Sequence, residues 1–309
     1  MKIVFCADRG ILAALHVAAK SVLEHFEGKP EFVILTDELT ASEIQTLHQT
    51  LDQTAKEYSL DFFQIDCKPF EKFPKLAGRH STYFRLLIPD FINEAKCLYL
   101  DSDVFCARDL SDLACFELRD HPVALVPEAP IEKSPDLLVF KRLGERACGD
   151  YFNAGVTLIN CERWRKENLK EQCFEFIADN QPPYWDQSAL NFVLHGRIAK
   201  LHKHYNRLSN VRSNWPFFRP PSNCSRHLVH FVDFPKPWSR FGRWVHPFGK
   251  LWWQAYRQTA HSHAGGKVNS AIKWNAKSRE GYKKALKDKI LFSLYCAGLI
   301  LPKGVPEEK

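Results

Sequence analysis

The chain has 309 residues, 45% of them apolar, which suits one large α/β domain with additions or two domains. It contains no run of about 18 apolar residues and nothing that resembles a signal peptide, so the sequence predicts neither a spanning helix nor secretion. The ten cysteines form no C-x-x-C pair, which favours reduced, buried thiols in the cytoplasm over disulfides or a zinc site.

Charge is unevenly distributed along the chain. From Lys200 onward there are 21 Lys/Arg against five Asp/Glu, a net of +16, whereas the first 199 residues carry 22 against 31, a net of −9. A basic carboxyl-terminal third indicates an anionic partner surface, which on charge alone is either phospholipid or nucleic acid.

The amino-terminal part alternates apolar strands with helical stretches. Strands are predicted at 2–7, 31–36 and 61–65, and helices at 11–26 and 42–58. Strands that alternate with helices predict a parallel, Rossmann-like sheet. The first strand is followed by Asp8, Arg9 and Gly10 rather than by a G-x-G-x-x-G dinucleotide fingerprint.

A fourth apolar run, Cys97–Leu100, stops at Asp101 and Asp103. Such a run predicts a central parallel strand, and ligands collect at the carboxyl ends of these strands. If the strand continued, both carboxylates would lie on one face and suit Mg²⁺ or Mn²⁺. The alternative is a strand that ends in a polar turn. Arg85, within an otherwise apolar helix predicted at 81–89, indicates a buried acidic partner.

The second half continues the same pattern. Strands are predicted at 122–127, 151–160, 198–205 and 228–232, helices at 163–177 and 188–194, and loops at 131–150 and 210–226. Asn153, Ala154 and Gly155 would let a ligand approach the backbone closely, or form a simple turn into a strand. Asp186 is a candidate helix N-cap.

Five sequence blocks occur in a fixed order over about residues 1–240. They are Ile3–Asp8, Leu98–Val104, Tyr151–Asn160, Asp186–Gln187 and His230–Trp238. Together they resemble glycosyltransferase family 8, the retaining, GT-A-fold enzymes that include bacterial lipopolysaccharide galactosyl- and glucosyltransferases and glycogenin-like proteins. The resemblance implies an α/β fold, a GT-A-type Rossmann-like mixed sheet flanked by helices, over residues 1–240. A basic helical extension would follow over 241–309.

The resemblance also implies a role for individual residues. Asp101, Asp103 and His230 would hold Mn²⁺, or Mg²⁺, against the diphosphate of a UDP-hexose. The other implied contacts are Ala7 and Asp8 at the uracil, Ser102 and Asp103 at the ribose, Lys236 at the phosphates, Arg85, Asn153, Ala154, Asp186 and Gln187 along the donor sugar, and Glu128 at the sugar or acceptor. Asp233 stands where the family often has Gly, and it would repel a diphosphate unless it turns away or pairs with Lys236 or an Arg.

Three catalytic residues follow from the resemblance, namely Arg85, Asp186 and Gln187. No carboxylate nucleophile is evident where Gln187 would lie, which favours front-side attack, with the leaving phosphate taking the acceptor proton. Asp186 is the rival candidate for a covalent intermediate. Two further hypotheses are a haloacid-dehalogenase-like, Mg-dependent phosphatase and a sugar-nucleotide-binding protein without turnover.

The carboxyl-terminal third combines aromatic and basic residues. Seven aromatic and four basic side chains occur between Trp238 and Arg257, followed by a cationic stretch at 273–289 and an apolar one at 290–301. This composition predicts peripheral binding to the anionic inner face of the cytoplasmic membrane, where a lipid-linked glycan acceptor would lie. The alternative is a helical subdomain whose tryptophans pack a core. No nucleic-acid-binding motif accompanies the charge, so we expect no nucleic-acid partner.

Overall fold

The computed structural model describes residues 1–75, 78–144, 148–210, 226–233, 235–239 and 242–268, and positions 279, 280, 282, 283, 286, 287 and 290. The strands are β1 Lys2–Cys6, β2 Glu31–Thr36, β3 Ser59–Gln64, β4 Lys96–Leu100, β5 Val104–Cys106, β6 Val123–Pro130, β7 Asp150–Asn160, β8 Ile198–Lys200, β9 Arg207–Ser209 and β10 Leu228–Phe231. The α-helices are α1 Leu12–His25, α2 Ala41–Asp52, α3 Ile88–Phe91, α4 Leu137–Arg142, α5 Cys161–Lys166, α6 Leu169–Asn180, α7 Trp185–Val193, α8 Gly242–Val245, α9 Gly249–Arg257 and α10 Ala260–His263. Most of the predicted 210–226 loop, most of the cationic stretch at 273–289 and most of the apolar stretch at 290–301 lie outside the described residues.

A seven-stranded mixed sheet forms the centre of the molecule, with strand order β3-β2-β1-β4-β7-β6-β8. The first four of these strands are parallel, but β7 runs antiparallel to both of its neighbours. Helices flank the sheet, and apolar clusters fill both of its faces. The predicted fold class, a mixed sheet flanked by helices, is confirmed, and the amino-terminal strands that alternate with helices are parallel as predicted.

A second, three-stranded sheet lies beyond the carboxyl end of β4, with strand order β5-β10-β9. The chain leaves the main sheet at Leu100 and enters this second sheet at Val104, which pairs with His230 of β10. The turn 101–103 therefore joins the two sheets. This connection brings the carboxyl end of β4 next to β10, which lies far along the chain.

Several helices begin or end at residues other than those predicted, for identifiable reasons. The helix predicted at 42–58 ends at Asp52, and the helix predicted at 163–177 is two helices separated at Asn168, whose φ is +51°. Pro89 does not stop a helix, because a 3₁₀ helix over Ser81–Leu87 leads into α3 and Pro89 lies in the first turn of α3. Proline is tolerated there, since the first-turn N–H groups have no partner within the helix.

The described part of the carboxyl-terminal region packs against the main body. Trp238, Phe248, Trp252 and Tyr256 are buried in one apolar cluster, together with residues of α1 and β10. Within the described ranges, no helix has the length and apolar character needed to cross a bilayer. The eight cysteines described are free thiols, and Cys115, expected to be buried, is exposed.

Candidate active site

Two carboxylates and one imidazole converge where the two sheets meet. The Nε2 atom of His230 lies 3.4 Å from Asp101 Oδ2 and 3.1 Å from Asp103 Oδ1. One ligand atom from each residue lies within 4.8 Å of the others, and the His230 side chain is 5% exposed. Two carboxylate oxygens and an imidazole nitrogen around one point are a suitable donor set for a divalent ion such as Mn²⁺. The residues therefore fit the implied metal.

Backbone hydrogen bonds bring the two carboxylates together, rather than a continuous strand. The N–H of Asp101 donates to Gly155 O at 2.8 Å, and the N–H of Phe231 donates to Asp103 O at 2.9 Å. The turn is thus held by β7 on one side and by β10 on the other. Of the two arrangements considered, the structure has the strand that ends in a polar turn, and the carboxylates converge because this turn is fixed at both ends.

Gly155 makes room for the imidazole. A Cβ atom at this position would overlap the ring of His230 and lie 2.9 Å from Asp101 Oδ2. The small residues at 153–155 were predicted to let a ligand approach the backbone. At Gly155 the space is instead taken by a side chain of the candidate metal site.

Arg85 connects three elements at the carboxyl end of β4. Its Nη2 lies 2.8 Å from Asp101 Oδ1, and its Nε lies 2.8 Å from Asp186 Oδ2. Its Nη1 donates to Ala154 O at 2.9 Å. Burial lowers the pKa of Arg85, but the two carboxylates outweigh burial and raise it, so the guanidinium stays charged. Arg85 therefore has the buried acidic partners that its apolar sequence context indicated.

Asp186 faces Arg85 and does not cap α7. The N-cap of α7 is Tyr184, which makes no side-chain capping bond, and Asp186 Oδ1 instead accepts from Thr82 Oγ1 at 2.8 Å. Asp186 is buried, and burial raises its pKa although Arg85 acts in the opposite direction. The N-cap interpretation of Asp186 is wrong.

The Gln187 amide is held at both ends. Its Oε1 accepts from Ala154 N at 3.1 Å, and its Nε2 donates to the hydroxyl of Tyr151 at 3.2 Å. Because a backbone N–H is always a donor, the first bond fixes which end of the amide carries the oxygen. Gln187 therefore lies next to Ala154, as the donor-sugar assignment of both residues implies.

Lys236 lies on the other side of the carboxylate pair from Arg85. Its Nζ is 2.7 Å from Asp103 Oδ2 and also donates to Phe231 O. Burial alone would raise the pKa of Asp103, but Lys236 and His230 together lower it well below its usual range. The Lys236 ammonium thus adds positive charge beside the candidate metal site.

Asp233 has a hydrogen-bond partner other than Lys236. Its φ is +59°, in the left-handed region that favours glycine, and its Oδ2 accepts from Asn210 Nδ2 at 2.9 Å. Lys236 pairs with Asp103 and not with Asp233. The pairing of Asp233 with Lys236, one of the arrangements that would spare a diphosphate, is therefore not present.

The residues assigned to the nucleoside lie at the ends of β1 and β4, which are neighbours in the sheet. Asp8 accepts from Gly10 N at 2.7 Å and from Ser81 Oγ at 2.6 Å, so it caps the short 3₁₀ turn that follows β1. Ser102 Oγ donates to Cys6 O at 3.2 Å, and the side chain of Ala7 is buried. These groups share the sheet edge that carries the candidate metal site.

Sequence reasoning missed Asn206. Its side chain is buried, and its Oδ1 lies 3.1 Å from His230 Nδ1, on the far side of the imidazole from the carboxylates. Asn206 lies between a 3₁₀ turn and β9, where asparagine is common for local reasons. No local pattern distinguishes it from an ordinary turn residue.

Replacing Gly155 with Ala should weaken divalent metal binding by about tenfold or more, because the added methyl group displaces His230. Titration with Mn²⁺, monitored through the EPR signal of the free ion, measures this loss. Gly196→Ala is the matched control, since Gly196 has φ +74° and no neighbour within 4 Å of an added Cβ. If Gly155→Ala binds Mn²⁺ as tightly as the control, the space at Gly155 does not position His230.

Comparisons with known proteins agree with this geometry. The sequence profile of glycosyl transferase family 8 matches residues 2–242. The lipopolysaccharide 1,2-glucosyltransferase of Escherichia coli is 30% identical over 246 residues, which cover 73% of this chain and 69% of the relative. The lipopolysaccharide 1,3-galactosyltransferase of Salmonella typhimurium strain LT2 is 26% identical over 273 residues, which cover 84% and 79%.

A solved structure supports the fold. The galactosyltransferase LgtC, in complex with donor and acceptor sugar analogs, matches with a TM-score of 0.71 at 23% identity, covering 84% of this chain and 96% of that one. The likeness identifies the central architecture as the GT-A fold. Since the family profile spans more than half of its length, this chain belongs to glycosyl transferase family 8 and is a glycosyltransferase.

Proposed function

We propose that this chain is a retaining, Mn²⁺-dependent hexosyltransferase that moves galactose or glucose from a UDP-sugar to a saccharide acceptor. The acceptor is lipopolysaccharide, for which both named relatives are named, or another cell-surface glycan. The observation that carries the proposal is the cluster of Asp101, Asp103 and His230, with Lys236 at its edge. This arrangement joins a metal site to a fixed positive charge, as a diphosphate leaving group requires.

The carboxylates and the lysine have complementary tasks in this proposal. A divalent ion held by Asp101, Asp103 and His230 would neutralise charge on the diphosphate as UDP leaves. Lys236 adds an ammonium whose position is fixed by Asp103 and by the carbonyl of Phe231. Its charge is therefore in place before the reaction and needs no reorganisation while negative charge develops.

The contacts of Asp186 and Gln187 favour positioning over nucleophilic attack. Asp186 is buried between Arg85 and Thr82, and Gln187 is held by Ala154 and Tyr151. A carboxylate engaged by a guanidinium and a hydroxyl is a weaker nucleophile than a free one. These contacts support front-side attack, in which the leaving phosphate accepts the proton of the acceptor hydroxyl.

The structure and the family argue against one of the two rival hypotheses, whereas the other can be tested only by measuring catalysis. A haloacid-dehalogenase-like phosphatase carries its D-x-D after the first strand of its domain, whereas here the pair follows β4, and the family assignment points to glycosyl transfer. A binding protein without turnover would keep the same side chains, so catalysis itself must be measured to separate it from the transferase.

The full chain should release UDP from one of UDP-glucose or UDP-galactose when Mn²⁺ and a truncated lipopolysaccharide core are present, and EDTA should abolish the release. Asp103→Asn should reduce the rate about 100-fold or more, because it removes a charged metal ligand. Asp120→Asn is the matched control, since the Asp120 side chain is 98% exposed.

Each rival hypothesis has its own result in this assay. Binding of a UDP-sugar without UDP release would identify a binding protein. Hydrolysis of phosphate monoesters without sugar transfer would identify a phosphatase. Transfer with inversion at the anomeric carbon, seen by NMR of the product, would contradict the retaining mechanism.

Asp186→Asn should lower kcat by no more than about 100-fold if Asp186 only positions Arg85 and the sugar, because the amide keeps the shape of the side chain. Loss of a covalent nucleophile costs about 10⁴-fold or more. Steady-state kinetics give the ratio, and mass spectrometry of the protein incubated with donor tests for a glycosyl adduct. An adduct of hexose mass that disappears in Asp186→Asn would refute front-side attack.

We also propose that the protein is cytoplasmic and binds peripherally to the inner face of the cytoplasmic membrane, where a lipid-linked acceptor would be presented. The buried aromatic residues of α9 are accounted for by packing, so the proposal rests on exposed ones. Arg243, Trp244, Lys250 and Arg257 are exposed, Trp244 to 57%. An exposed tryptophan among cationic side chains suits the interface of an anionic membrane.

The full chain should float with vesicles that contain anionic phospholipid and not with neutral ones. Each basic residue near the surface contributes about 1 kcal/mol, so Arg243→Glu with Lys250→Glu should weaken binding at least about 30-fold. Lys29→Glu with Lys68→Glu, at exposed positions outside the region, is the matched control. No flotation with anionic vesicles, or equal loss in the control, would count against the membrane proposal.

A further inference from the structure

A chain of side-chain amides runs from Glu128 to the candidate metal site. His230 Nδ1 lies 3.1 Å from Asn206 Oδ1, Asn206 Nδ2 donates to Asn153 Oδ1 at 2.8 Å, and Asn153 Nδ2 donates to Glu128 Oε2 at 3.3 Å. Asn153, Asn206 and His230 are buried. Along this row of hydrogen bonds, the donor and acceptor of each bond depend on those of the bond before it.

The direction is fixed by a group that has only one possible role. The backbone N–H of Gly155 donates to Asn153 Oδ1 at 3.0 Å, so that atom is the oxygen of the amide. The other end of Asn153 must then be its NH₂ group, which suits the carboxylate of Glu128 because an ionised carboxylate only accepts. Asn153 is thus oriented at both ends independently of Asn206.

The same logic extends to the imidazole. Because Asn153 presents an oxygen, Asn206 must turn its NH₂ group toward it and its own oxygen toward His230. An oxygen at that place can only accept, so Nδ1 of His230 carries the hydrogen. Nε2 is then left to supply its lone pair at the point where Asp101 and Asp103 converge.

We infer that Asn206 is a positioning residue for the metal, which holds His230 in the Nδ1–H tautomer with Nε2 facing the ion. The inference rests on the proposed metal-dependent function and adds a residue to it. Partners that bind the second nitrogen of a metal-ligating histidine set its ring orientation and basicity, and their loss costs about 10- to 100-fold in metal affinity. Because Asn206 is buried, bulk water does not replace its oxygen freely.

Two substitutions at Asn206 test the inference. Asn206→Leu keeps the branching of the side chain but offers no acceptor, and it should weaken Mn²⁺ binding about 10- to 100-fold. Asn206→Asp keeps an oxygen for Nδ1–H, as carboxylates commonly do at this place, but it sets a second acceptor against Asn153 Oδ1. It should therefore bind Mn²⁺ more weakly than the unmodified protein and clearly more tightly than Asn206→Leu. The EPR signal of free Mn²⁺ gives the affinity without any activity measurement.

Asn191→Leu is the matched control. Asn191 is also buried, and its amide bonds the backbone of Phe152 and Gln187 rather than His230. It should lower the melting temperature, as Asn206→Leu does, while leaving the Mn²⁺ affinity unchanged. Ring ¹⁵N NMR with Zn²⁺ as a diamagnetic probe, assigned by comparison with His230→Gln, should show Nδ1 protonated in the unmodified protein and in Asn206→Asp.

Three results would overturn the inference. They are unchanged Mn²⁺ affinity in Asn206→Leu, a loss in Asn206→Asp equal to that in Asn206→Leu, and a His230 ring that binds the ion through Nδ1. None of these three results contradicts the proposed function if the unmodified protein transfers sugar. Conversely, an unmodified protein that binds Mn²⁺ but releases no UDP from any UDP-hexose would defeat the proposed function and leave the role of Asn206 intact.

Discussion

The site depends on positive charge that neutralises two neighbouring carboxylates, Asp101 and Asp103. Asp101 and Asp103 each direct one oxygen to a cation of the protein and the other to the imidazole. Asp101 Oδ1 meets Arg85 and the hydroxyl of Tyr99, and Asp103 Oδ2 meets Lys236. The remaining two oxygens face Nε2 of His230. Without the two cations, two partly buried carboxylates that face the same imidazole would repel each other with no compensating charge from the protein.

Arg85 extends this constraint to the fold. One guanidinium donates hydrogen bonds to Asp101 at the end of β4 and to the carbonyl of Ala154 in β7, and it forms an ion pair with Asp186 at the start of α7. Removing one partner from such a buried group leaves uncompensated charge and costs about 3–5 kcal/mol. The residues of β7 and α7 that the proposed function assigns to the donor sugar are therefore held by the same guanidinium as Asp101 of the candidate metal site. Arg85 therefore both stabilises the fold and positions the residues of the candidate site.

Most of the fold could be predicted from the sequence, but the features that depend on contacts between residues far apart in the chain could not. Hydrophobic runs located the strands on either side of the site, because a buried strand must be apolar along its length. They could not show that β7 is antiparallel, because β7 is buried along nearly its whole length and has the continuous apolar run that is typical of a parallel strand. The ordered blocks identified the carboxylates, His230 and Lys236, whereas Asn206 was missed because its partner lies 24 residues away. The bond of Asp233 with Asn210, 23 residues away, could not be predicted either. The backbone φ of Asp233 is +59°, a conformation that Asp adopts more readily than most residues.

The aromatic residues after β10 have a role in the site whether or not the region binds a membrane. Trp238, two residues beyond Lys236, is buried in the cluster formed with α1 and β10. Trp253 of α9 donates its indole N–H to Pro237 O at 3.2 Å. A Cβ at Gly242 would overlap the carbonyl of Lys236 and lie 2.7 Å from Pro237 O, so α8 begins directly against this segment. Aromatic packing thus fixes the backbone from which Lys236 reaches Asp103, and it couples the carboxyl-terminal region to the charge balance of the carboxylate pair.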